Sequence, residues 1–186
     1  MLKIFEKIII SVTVFLTSFL IASGVLLAFV NVVARFVFHE GIDWAFELTS
    51  YLFIWSAMFG AAYLFRVGGH IKVTILVDLL PPKAAKFVIL LADIITLFYI
   101  VLVGYFGYLF IFDPDYGVFA SGEVSVDLNI PMWYVYTIIP ISMIISAILM
   151  IYKIIEDVKT PADEIASKSE SEMIIEEVKE SLGEIK

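Results

Sequence analysis

The chain has 186 residues, 61% of them hydrophobic and 17% charged, with a formal net charge of −8 and no cysteine. Its mean hydropathy of +0.99 is too high for a soluble domain, whose surface needs far more charge. Without cysteine, disulfides, thiolate metal sites and cysteine nucleophiles are excluded, and no part is basic enough to attract nucleic acid.

Residues 8–34, 48–65 and 128–152 carry no charge, and residues 87–112 carry one, Asp93. Runs of this length match the ~20 apolar residues that a helix needs to cross a bilayer. Only helices and closed barrels satisfy every backbone group there, and unalternating runs are helices. The sequence therefore predicts an all-α integral membrane protein with four transmembrane helices, at about 8–33, 44–65, 87–111 and 131–152. Residues 1–155 form the membrane domain and residues 156–186, with ten acids and four bases, form an acidic cytoplasmic tail.

Lys3 and Lys7 precede the first run, which is longer than the ~7–15 apolar residues of a secretory signal and lacks a clean cleavage site. It is read as a retained span. Within it Ser11, Thr13, Thr17 and Ser18 can bond to the backbone or to a neighbouring helix, and Gly24 with Ala28 permits close helix approach. Asn31 and Arg35 follow, four apart on one helix face.

A polar turn at residues 38–43 leads to span two, with Asp43 as its expected N-cap. Arg35 is the only Arg or Lys on its side of the membrane, and Glu40, Asp43 and Glu47 lie close by in sequence. Two roles fit it: structural pairing with one of these carboxylates, or attraction of an anion at the mouth of the hairpin. On span two, Trp44, Glu47, Tyr51 and Trp55 fall near one face, suited either to internal packing or to a protein partner. Ser56 with Gly60, and Ala57 with Ala61, add small-residue surfaces.

Span two ends at Arg66, Gly68, Gly69 and His70. Residues 70–80 place His70, Thr74 and Asp78 on one side and apolar residues on much of the other, which predicts an amphipathic helix in the membrane interface between spans two and three. Pro81 and Pro82 end it. Asp93 lies about 10 Å inside span three. It is either a structural carboxyl, with Thr13, Thr17 or Ser146 as hydrogen-bonding candidates, or an ion- or proton-coupling site. A turn-rich loop then runs to span four, whose start carries the interfacial aromatics Trp133, Tyr134 and Tyr136.

Lys3, Lys7, Arg66, Lys72, Lys83, Lys86 and Lys153 fall on one side and Arg35 on the other. The positive-inside rule places both termini in the cytoplasm. Beyond residue 156 the tail reads either as soluble and partly disordered, or as a helix using Met173, Ile174, Val178 and Leu182 to dock on a partner. His39 and His70 are a full span apart and cannot share a haem within one subunit. With no Ser/His/Asp set and no P-loop in view, an enzyme is not expected.

Taken in order, Asn31, Arg35, Trp44 with Glu47, Trp55, Gly60 and the Gly69-His70-Ile71 turn before Pro81 resemble the DctQ-type small permease subunit of TRAP (tripartite ATP-independent periplasmic) transporters. The resemblance covers roughly residues 8–152. Phe36 stands where that family commonly has Tyr, and Thr74 where Asp often follows the His-Ile pair. It implies a scaffold in the bacterial inner membrane, in contact with lipids, a separate large permease subunit and a periplasmic substrate-binding protein. Na+ and a carboxylate substrate would then be handled by the large elevator-type subunit, with no cofactor in this chain. The end of the chain at Lys186 is read as leaving the large subunit separate. Asn31, Arg35, Trp44, Glu47, Trp55, Gly60, His70 and Asp93 become structural or partner-interface candidates. The alternatives are a stand-alone carrier or channel, or the membrane anchor of an electron-transfer complex.

Overall fold

The computed structural model describes residues 2–67 and 80–162. His70, nearly all of the expected interfacial helix, and the tail from residue 163 lie outside them. The described residues are all-α: α1 (Leu2–Val37), α2 (Asp43–Val67), α3 (Pro82–Phe112), the short α4 (Val118–Ser121) and α5 (Met132–Tyr136), and α6 (Ile138–Lys159). Four helices are long and apolar enough to cross a membrane, with α5 and α6 forming one span, Met132–Lys159. The protein is a multi-pass membrane protein.

The helices outrun the charge-free segments. The 36 residues of α1 extend about 54 Å at 1.5 Å per residue, against about 30 Å of hydrocarbon. Backbone bonding does not stop where side chains become polar, so α1 continues past Arg35. It ends where His39 takes a left-handed conformation, φ 59°. Asp43 is the first residue of α2 rather than its cap; the first turn there closes through Ala45 N–H to Ile42 O (3.0 Å). At the start of α3, Pro82 occupies a position whose N–H would be unpaired anyway. The break between α5 and α6 at Thr137 has a local cause: Pro140 has no N–H to give to the carbonyl of Tyr136. Finally, α6 runs to Lys159, so the first residues assigned to the tail are helical.

Packing places the long helices in the order α1, α2, α6, α3, with each sequence hairpin at one side of the row. In their most apolar stretches 11% of α1 and of α3 is buried, 22% of α2 and 39% of the last span, so α1 and α3 are edges. Small residues let the neighbours close. Gly24 receives the ring of Phe53, and Gly60 faces Thr17 Cγ2, with 3.4 Å to where a Cβ would stand. On the other side Gly104 and Gly107 receive Met143 and Ile139. The core of Ile100, Met143 and Met150, backed by Met58, Leu97, Val103 and Ala147, joins α2, α3 and α6.

Candidate functional site

Both termini of the described chain lie at one end of the row, since Glu6 and Glu156 meet the same arginine. At this terminal end Arg66, in the last turn of α2, bridges Glu6 of α1 and Glu156 of α6, each at 2.5 Å. Beside it the buried Lys153 of α6 binds Asp93 of α3 (2.5 Å) and Asp157, one turn on (2.7 Å). Lys86 of α3 donates to the carbonyls of Val158 and Thr160, which the end of α6 leaves free. All four long helices are thereby tied together by charge.

Asp93 thus has an ammonium partner from sixty residues away, not the hydroxyls expected at its depth. Thr13, Thr17 and Ser146 bond to carbonyls of their own helices. A carboxylate taken out of water requires such a partner, because an unpaired charge there costs several kcal/mol. The signal for it was in the sequence: Lys153 read as a membrane-edge base, yet it stands at the same end as Lys86, seven residues before Asp93.

The opposite, loop end is held differently. Asn31 Oδ1 accepts the N–H of Ile42 (2.7 Å), stitching α1 to the entry of α2. Glu47 takes the Tyr51 hydroxyl (2.5 Å) on one oxygen and the N–H groups of Asp127 and Leu128 (2.9 Å each) on the other. One α2 carboxylate therefore orders the loop before span four. That loop also closes on itself through Ser125 N–H to Ile130 O (2.8 Å) and Met132 N–H to Glu123 O (2.9 Å). Trp55 Nε1 donates to Val135 O (3.1 Å), and Ser56 Oγ donates across to Thr17 O (2.8 Å).

The structure thus uses Asn31, Glu47, Trp55, Gly60 and Asp93 within the chain, while Trp44 stays 43% exposed at the rim. Of the two roles that fit Arg35, pairing with a carboxylate is not seen among the described residues. No carboxylate oxygen among the described residues lies within 4.0 Å of its guanidinium, and one candidate, Glu47, is committed to the loop. Sequence reading missed Glu6, Lys153, Glu156 and Asp157 as contact residues. It also missed the Gly104–Gly107 pair, although the small-residue rule applied at Gly24 would have found that pair.

A family model for the DctQ component of tripartite ATP-independent periplasmic transporters matches residues 24–160. The chain belongs to this family. A DctQ component is part of a transporter, not an enzyme. The chain is 35% identical over 97 residues to the C4-dicarboxylate TRAP transporter small permease protein DctQ of Rhodobacter capsulatus, covering 52% of this chain and 41% of that one. It is 23% identical over 146 residues to the ectoine TRAP transporter small permease protein TeaB of Halomonas elongata, 76% and 74% of the two chains. It is 27% identical over 140 residues to the sialic acid TRAP transporter permease protein SiaT of Haemophilus influenzae, 75% of this chain but 21% of that one. The chain spans less than half the length of three such curated relatives, at 45%, 41% and 35%.

Proposed function

We propose that this DctQ-family chain is the small scaffold subunit of a TRAP-type secondary transporter in a bacterial inner membrane. It braces a large elevator-type subunit that carries the Na+ and substrate sites, and a periplasmic binding protein delivers the substrate. The observation that carries this reading is the use of the polar groups. Asp93, Lys153, Arg66, Glu47 and Trp55 all bind other parts of the same chain, which suits a brace more than a conduction path. The two apolar edge helices, α1 and α3, remain for other membrane components.

Relatives named for C4-dicarboxylate and for sialic acid support a carboxylate substrate. That the matched part is a fifth of the sialic acid permease supports work beside a larger polypeptide. Lys7, Arg66, Lys83, Lys86 and Lys153 at the terminal end, against Arg35 at the loop end, support cytoplasmic termini. Expressed with its neighbouring reading frames, the tagged chain is expected to co-purify with a much larger membrane protein, and its deletion to abolish Na+-dependent uptake. Transport by the purified chain alone in liposomes would refute the scaffold role. A reporter after Lys159 that reads as external would refute the orientation.

A further inference from the structure

We propose that Arg35, with the exposed aromatic side chains at the same end of the helices, holds the phosphate of an anionic phospholipid in the leaflet at the loop end. Arg66, Lys86 and Lys153 each donate to a carboxylate or carbonyl of another helix or its terminal residue. Arg35 differs. It is exposed, has no carboxylate of the described residues within 4.0 Å and donates to none of them. Its place in the last turn of α1 suits a cation, since helix C-termini are electronegative. None of the five N–H donors of its planar fork is taken by the described residues, and the geometry of that fork matches phosphate oxygens.

Depth and neighbours select the ligand. Asn31 bonds Ile42, the residue just before α2, so Arg35, one turn further along α1, stands about 6 Å beyond that level. The charge-free run of span one ends immediately before it, which sets it at headgroup rather than hydrocarbon depth. Next to it in sequence Phe36 and Phe38 are 84% and 73% exposed, and in the first turn of α2, at the same end of the row, Phe46 is 77% and Trp44 43% exposed. Water would leave four aromatic rings unfavourably hydrated, and hydrocarbon would strand the guanidinium. The bilayer interface accommodates both, with rings among the upper acyl chains and the charge on a phosphodiester. A soluble anion would satisfy the arginine but not the rings.

The test is native mass spectrometry of the full chain in mild detergent, titrated with phosphatidylglycerol. Wild type is expected to retain one molecule preferentially. Arg35→Gln should weaken this by about fivefold, the scale of one basic side chain at an anionic bilayer surface. Arg35→Lys, which keeps the charge, should lose about twofold or less. Equal retention by wild type and Arg35→Gln overturns the proposal. Unchanged lipid retention with loss of a co-purifying larger membrane protein overturns it as well, and assigns Arg35 to a carboxylate of that partner.

Discussion

Two arginines stand at opposite edges of the same helical hairpin, and the protein treats them in opposite ways. Arg66 closes α2 between two carboxylates from α1 and α6. Arg35 closes α1 with three carboxylates close by in sequence and none in reach. The difference extends to the two ends. At the terminal end, charges from four helices pair with one another, so helix positions are fixed relative to each other. At the loop end, a carboxylate and an amide bind backbone N–H groups, so loops are fixed to helices. Electrostatics assemble the row at one end, and hydrogen bonds finish it at the other.

The largest effect expected from breaking this contrast is at Lys153. Replacement by Met strands Asp93 and leaves Asp157 without its i−4 partner, and breaking a buried pair costs about 3–5 kcal/mol. Thermal unfolding in detergent should show a large drop, with poor yield from membranes. The double variant Asp93→Asn with Lys153→Met should recover most of the loss, because neither charge is then stranded. A double variant as unstable as the single would mean that packing, not charge compensation, dominates.

Glu47 tests the other end. Glu47→Gln keeps one acceptor oxygen but loses the charge that serves Tyr51 and two backbone N–H groups. Losing the charge weakens those hydrogen bonds, so a loss of stability smaller than that at Lys153 is expected. It should be local: limited proteolysis should quicken within residues 121–131, while the terminal-end pairs hold.

Why the sequence disclosed some of this and not the rest follows from reach. Four spans were legible because bilayer thickness acts on every residue of a continuous apolar run. Helix ends were not, because α1 propagates past Arg35 on backbone bonds to which side-chain polarity is indifferent. The partner of Asp93 sits sixty positions away, and in the sequence Arg66 and Lys153 mark topology without pointing to their carboxylates. Glu47 binds backbone N–H groups, which leave no residue-type signature. The row α1–α2–α6–α3, with α6 inside, depends on which apolar faces meet, and four faces of similar composition do not encode that in periodicity.

A smaller effect separates the two partners of Arg66. The side chain of Glu6 is 15% exposed and that of Glu156 59%, at equal distance from the guanidinium. Solvent screens the second pair, so Glu156→Gln should cost less than about 1 kcal/mol and fade with salt. Glu6→Gln should cost more and depend less on salt. Chemical unfolding at two ionic strengths measures both, and equal salt sensitivity would show that the bilayer edge screens them alike.

The smallest effect is expected at Arg35. In lipid-free detergent, Arg35→Gln should leave stability within about 0.5 kcal/mol of wild type, as for a surface residue with no fixed partner. Arg66→Gln measured alongside should be clearly destabilised, since it releases Glu6 and Glu156 together. The two variants make the same chemical change in the last turn of a helix, so any difference belongs to the surroundings. If Arg35→Gln proved as destabilising as Arg66→Gln, a protein acceptor for Arg35 would have to exist within the chain. The asymmetry between the two ends would then be one of geometry rather than of pairing.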